Sequence, residues 1–306
     1  MKDKIPFQNV LVYTLYSTFK SFRNYLFSII LPIFIVLAIY LIKTSFGQDD
    51  FSEKSGQIYN LLIIPFTFSL FAFSSTLVNW KESILIKQSK FFSISKTNFY
   101  FSIFISISLL TLISLIFSIF SLFIIDYFLE IKNFTVTFWN MAGFYIIKGN
   151  FYEYLTFLSA IILLILFFTL YLFLIFNISY ITSLKIKSIV LIQAINFVLI
   201  ILFFGLADVA LDINLVTNKR AQMIYNIFGY LIPAKSFQWL FISLFTNTTF
   251  ANYNILETIV SPNLEVPYTF LTNKIWMILP TTLFFSTVWT IAFFMLIQIF
   301  NKKGIW

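Results

Sequence analysis

The chain has 306 residues, of which 60% are apolar and only 10% charged. Soluble globular proteins carry roughly 25% charged residues, so too few polar groups are present to cover a soluble surface, and a polytopic membrane protein is expected. With a formal charge of +8, no Cys and no His, the composition excludes disulfides, Cys or His zinc sites, thiol nucleophiles and imidazole bases; carboxylate-only metal sites remain formally open.

Residues 1–24 are polar but patterned. Phe7, Leu11, Leu15, Phe19 and Phe22 fall at helical spacing, while Ser17, Lys20, Ser21 and Asn24 take another face. This predicts an amphipathic helix with Pro6 near its first turn, where Pro is tolerated, and with its apolar face at the headgroup boundary. A signal peptide is disfavoured because no small-residue cleavage site follows the apolar run.

Six spans are expected, at about 25–42, 58–78, 99–125, 154–175, 189–206 and 275–300. The first, at ~1.5 Å per residue, is roughly 27 Å long, enough for a bilayer core. The apolar stretch 134–147 is too short to cross and is placed at the interface. The apolar run 222–246 is split by Pro233 and Lys235 into two halves that are each too short to cross a bilayer. It predicts a re-entrant or interfacial helix pair within the longest loop, 207–274. The fold class is therefore an all-α polytopic membrane protein, one transmembrane domain over 1–306.

Orientation follows from Lys and Arg. With the N-terminus inside, segments 1–24, 79–98, 176–188 and 301–306 hold twelve basic residues and two acidic ones, Asp3 and Glu82; the outer segments hold eight basic and ten acidic. This obeys the positive-inside rule and places both termini in the cytoplasm. Basic residues so dispersed give no sign of a nucleic-acid partner. The 43 Phe, beside many Ile, Lys and Asn, fit a nucleotide-composition bias better than a stacking device.

The spans are nearly free of charge, which argues against an ion-coupled antiporter, because buried charges are conspicuous and functional there. Uncharged polar residues remain: Gln193 and Asn196 in span five, and Thr67, Ser69, Ser74, Ser75 and Thr76 in span two. Two readings stay open, hydrogen bonding between helices and a mildly polar substrate path, for which Thr67, Ser74, Gln193 and Asn196 are the candidates. No P-loop occurs: Gly143 and Gly149 are wrongly spaced and Asn150 follows. Asp208 and Asp212, four apart at the outer end of span five, are read first as a solvated helix end.

The basic island between spans two and three reads VNWKESILIKQSKFFSISKTNFY over 78–100. A helix over Trp80–Lys90 brings Trp80, Ile84 and Phe91 near one face, and Lys87 and Lys90 can snorkel. A plain topology anchor with an interfacial Trp is one reading. The run from Trp80 to Gln88, followed by Ser93-Ile94-Ser95 and a new apolar span, also resembles the loop after span two in ABC-2 type transporter permeases. Ser83 stands where Gly is common and Ser93 where Pro is common. The six-span layout, the amphipathic N-terminal helix and the Pro-split segment before span six extend the resemblance along the chain.

The resemblance implies a bacterial cytoplasmic-membrane exporter subunit, not itself an enzyme. A separate ABC ATPase subunit would bind ATP and Mg, and a second permease copy or paralogue would complete the pair, so this chain binds no cofactor. A coupling helix would dock on the ATPase, with Trp80, Ile84 and Leu85 as apolar anchor and Lys81, Glu82, Lys87 and Lys90 setting register. The substrate would be amphipathic: a drug, a peptide such as a bacteriocin, or a lipid-like molecule. The rivals are a polytopic lipid-modifying enzyme, for which Asp208, Asp212, Lys219 and Arg220 are the candidates, and a non-transporting scaffold or sensor.

Overall fold

In a bilayer every backbone N–H and C=O has to be satisfied within the protein, which leaves helices or closed barrels. The computed structural model describes residues 6–46, 61–82, 96–130, 134–135, 151–186, 188–207, 209, 218–245 and 277–302; among these the regular structure is all helical, with no strand. Helix α1 is Phe7–Lys20. Helix α2 (Phe22–Tyr25), a π-helical turn (Leu26–Ile30) and α3 (Leu31–Phe46) follow one another without a break. Then come α4 (Ile63–Glu82), α5 (Lys96–Leu129), α6 (Phe151–Lys185), α7 (Ile189–Leu206), α8 (Lys219–Tyr230), α9 (Pro233–Phe245) and α10 (Ile278–Lys302).

Six stretches of the described residues are long and apolar enough to cross a membrane: Phe22–Ile42, Ile63–Trp80, Thr97–Leu129, Ile161–Leu184, Ile189–Leu206 and Ile278–Ile299. The chain is thus a multi-pass membrane protein whose described residues are all helical in their regular structure. Its centre is α4. Every residue from Ile63 to Trp80 except Asn79 is buried, enclosed by α5, α6, α7 and the π-helical turn. The outward faces of α5, α7 and α10 are apolar and exposed, as at Ile116, Phe120, Val198, Ile201 and Ile291, which suits contact with acyl chains.

Helix α1 is separated from the first span by extended backbone at Ser21. The side it packs on the bundle is Val10, Thr14 and Thr18; the predicted apolar stripe of Phe7, Leu11, Leu15 and Phe19 stays half-buried, and Phe22 is exposed. The reason is close approach. Thr14 donates to its own helix at Leu11 O, 2.9 Å away, and accepts from Ser106 of α5 at 3.2 Å, and small hydroxyl residues let two helices meet closely.

The fourth span differs most from its sequence reading. Helix α6 continues past the predicted end at Ile175 to Lys185, and Phe176, Asn177, Ile178, Ser179, Tyr180, Ser183 and Leu184 are buried rather than forming an inner segment. Their polar side chains read as a loop, but inside the helix they bond back to its carbonyls: Ser179 to Ile175 at 2.8 Å, Thr182 to Ile178 at 3.0 Å and Ser183 to Tyr180 at 2.8 Å. Of the predicted interfacial stretch 134–147, only Phe134 and Thr135 lie among the described residues.

Where α3 and α5 end, Tyr40 donates a hydrogen bond to Asp126, and the Thr135 backbone N–H donates to the other carboxylate oxygen at 2.7 Å. Tyr40 and Asp126 are fully buried. Helix α5 stops three residues after that carboxylate, at Leu129, and Glu130 takes φ 53°, the left-handed conformation that commonly closes a helix. Phe134 meets Phe123 edge to face, centroids 5.0 Å apart.

The 222–246 run is two helices, α8 and α9, broken at Leu231 and Ile232, with Pro233 as the first residue of α9. From Pro233 to Phe241 every side chain is buried. Phe237 and Phe241 pack on Tyr171 and Phe168 of α6, with centroids 5.0 and 4.2 Å apart. Lys235 is fully buried, its ammonium 5.3 Å over the Tyr225 ring and 5.5 Å over Tyr230. Gly229 permits this: a Cβ there would sit 2.4 Å from Lys235 Cδ and 2.6 Å from the Leu206 carbonyl oxygen.

Gly229→Ala should therefore lower stability by about 1–3 kcal/mol, because the Leu206 backbone cannot yield as a side chain can. Tyr40→Phe, which strips one donor from the buried Asp126, should cost about 1–3 kcal/mol. Thermal unfolding of each purified variant in one detergent reads both.

Candidate functional site

The polar residues of α4 would be unwelcome in lipid, and the bundle keeps them from it. Four of the hydroxyls first bond to their own helix: Thr67 to Ile63 at 3.0 Å, Ser69 to Phe66 at 2.6 Å, Ser74 to Leu70 at 2.7 Å and Ser75 to Ala72 at 3.2 Å. What remains of their capacity faces three neighbours. Thr67 and the Tyr171 hydroxyl of α6 are 2.9 Å apart. Asn196 of α7 donates its Nδ2 to Ser74 Oγ at 2.5 Å. Ser75 shares its one proton between Ala72 O and Asn24 Oδ1 of α2, the latter at 3.3 Å, and Asn24 Nδ2 donates to the Thr18 carbonyl at 3.2 Å. The last bond ties the end of α1 to the same network.

The path candidates are thereby placed. Thr67, Ser74 and Asn196 are fully buried and hydrogen-bonded between helices, and Gln193 is half-buried. Ser74 and Asn196 meet; Thr67 meets α6 instead. Two valences are left over on α7, since Gln193 Nε2 and Asn196 Oδ1 are buried with no hydrogen-bond partner. They are an unmet donor and an unmet acceptor three residues apart on one helix.

Of the island residues, Trp80, Lys81 and Glu82 form the last turn of α4. Ile84, Leu85, Lys87 and Lys90 lie outside the described residues, as do Asp208 and Asp212. Trp80 is buried at the helix end, edge to face with Tyr13 of α1 at 5.3 Å and with Phe99 of α5 at 4.9 Å. Lys219 and Arg220 open α8, where the Asn218 side chain caps the helix by accepting from the Arg220 N–H at 3.0 Å. Arg220 is exposed.

Three polar sites were not evident in the sequence reading. Asp126 sits within the third apolar helix, and its partner Tyr40 is 86 residues away. Asn24 joins three elements although it falls on the polar side of a predicted surface helix. Asn177 lies in the part of α6 that was read as a loop. The signal available for Asp126 is the long uncharged run that precedes it, from Thr97 to Ile125, which marks a carboxylate that needs a buried partner. No family model, no curated protein and no solved structure matches this chain.

A double-mutant cycle on Ser74→Ala and Asn196→Ala should give a coupling of about 0.5–2 kcal/mol, read from unfolding in detergent. Additive effects would mean that the α4–α7 bond contributes nothing.

Proposed function

We propose that the chain is the membrane-spanning permease subunit of an ATP-driven ABC exporter in a bacterial cytoplasmic membrane. A separate ATPase subunit hydrolyses ATP with Mg, a second permease copy or paralogue completes the pair, and an amphipathic substrate crosses. The observation that carries this reading is mechanical. Helix α4 is enclosed along its length and ends in Trp80, Lys81 and Glu82. A partner that grips this end pushes on a helix that touches α5, α6 and α7 at once. Trp80, wedged between Tyr13 and Phe99, keeps that end from swinging, so displacement passes along the helix rather than being lost at its tip.

Supporting features follow from the same layout. Helix α1 leaves a half-exposed apolar stripe beside the bundle, which suits a helix lying at the headgroup boundary on the cytoplasmic side with both termini. The α8–α9 pair, broken before Pro233 and buried through Phe241, suits a re-entrant hairpin at the outer mouth. Backbone at such a depth is tolerated where protein surrounds it. The exposed apolar face of α7, with Phe197, Val198, Ile201 and Leu202, suits the second permease, and the spare amide valences of Gln193 and Asn196 suit a polar group on the substrate.

The test is reconstitution with a P-loop ATPase encoded beside this chain. The two should co-purify, and Lys81→Ala with Glu82→Gln should lower substrate-stimulated ATP hydrolysis severalfold while the unfolding temperature stays unchanged. Failure of any such ATPase to bind, or labelling of a cysteine at position 82 from the cell exterior, would remove the reading.

A further inference from the structure

A groove of about 690 Å³ opens between the start of α5 and the ends of α6 and α10. That volume is in the range of small-molecule sites, roughly 300–1,000 Å³, which are apolar with a few well-placed polar groups. Its lining is graded along the bundle axis. Thr97 and Asn98 are at the mouth. Next come Tyr100 and Tyr180, edge to face at 5.4 Å with their hydroxyls hydrogen-bonded to each other. One turn deeper on α6 is Asn177, and beyond it are Phe104, Phe173 and Phe176. Behind that lining Phe73 of α4 packs against Phe104 and Phe176, with centroids 6.1 and 5.2 Å away.

Asn177 singles out this groove. Its residue is 1% exposed, and its Nδ2 has no hydrogen-bond partner. A buried amide donor left unmet costs about 1–3 kcal/mol, so an acceptor in the groove would relieve it. The Tyr pair marks the depth of the headgroup region, where Tyr rings collect, and three residues of helix put Asn177 about 4.5 Å further in. The lip of the groove, with Phe101 and Phe294, is exposed on the outward apolar surface of the bundle, so an occupant enters sideways from the membrane.

We propose that this groove is a specific site for one acyl-ester glycerolipid from the leaflet at that end of the bundle. An ester carbonyl accepts from Asn177 Nδ2, the chain below it lies among Phe104, Phe173 and Phe176, and the headgroup side meets Thr97 and Asn98. The sequence of polar mouth, carbonyl-level donor and aromatic floor matches the polarity gradient of such a lipid and of few other membrane amphiphiles. The site depends on the membrane-spanning fold and stands whether or not the chain is a permease.

The experiment compares a diacyl phosphatidylglycerol with its dialkyl ether counterpart, which keeps headgroup and chain length but lacks the carbonyls. Each is titrated into the purified full chain in detergent, and bound lipid is counted by native mass spectrometry. The ester form should bind about fivefold or more tightly, the loss expected for an unmet buried donor. The preference should vanish in Asn177→Leu, and Phe294→Trp at the exposed lip should reduce retention of the ester lipid by narrowing the entrance. Equal binding of ester and ether lipid to the natural chain would overturn the proposal, since that comparison needs no variant to fold. So would an ester preference that survives Asn177→Leu, or retention of no lipid at all.

Discussion

The structure depends on keeping one helix out of the lipid. Helix α4 carries Thr67, Ser69, Ser74, Ser75 and Thr76 in a single span, all of them buried. In a bilayer core there is no water to hydrate these groups, so each must find a partner in protein. Their own helix supplies one for Thr67, Ser69, Ser74 and Ser75, and Tyr171, Asn196 and Asn24 add a second for Thr67, Ser74 and Ser75. Apolar packing between lipid-facing helices gives no comparable direction, because a lipid tail is as apolar as a Leu side chain. The hydrogen bonds therefore tie α4 to α2, α6 and α7, and the large aromatic contacts fill the space between them. Phe66 stacks on Phe168 at 4.4 Å and Phe27 on Phe71 at 4.7 Å.

That arrangement also decides what the ends of the bundle can do. At one end α4 leaves the core through the Tyr13–Trp80–Phe99 cluster, with the graded groove of α5, α6 and α10 beside it. At the other, Tyr40 and Asp126 join the ends of α3 and α5, and α9 inserts its buried face against α6. A force on the charged tip of α4 acts directly on the polar bonds that define the core. If a partner ATPase supplies that force, the bundle needs no hinge within α4 to feel it. A lipid seated on Phe104 and Phe176 would press on the same helix through Phe73, and would bias the same motion.

The sequence made the number and order of spans legible because lipid-facing helices need long uncharged runs, and nothing else in a chain looks like that. It placed the break before Pro233 because Pro cannot extend a helix behind it. Span five was the clearest: Ser188 caps α7 with its side chain, and the apolar run stops at Leu206. The inner end of α6 is not legible in hydropathy, which treats Ser179, Thr182 and Ser183 as solvated, whereas the helix takes them in by back-bonding. Partners far apart in sequence were not legible at all. Nothing local to Asp126 names Tyr40, and nothing in the stretch from Trp80 names Tyr13. Periodicity in α1 pointed to Phe7, Leu11 and Leu15, but Thr14 and Thr18 make the close approach, because helix spacing rewards small side chains over apolar ones.

Because the chain contains no native Cys, paired cysteine cross-linking has no background, and it tests the central placement of α4 most directly. Three pairs, at positions 67 and 171, 74 and 196, and 75 and 24, would be treated in native membranes with a short membrane-permeant bis-maleimide. All three should be joined within one chain, while a pair at 74 and the lipid-facing position 116 should not. If the 74–196 pair stayed unlinked, or the 74–116 pair joined as readily, α4 would not be the enclosed core helix on which the account rests.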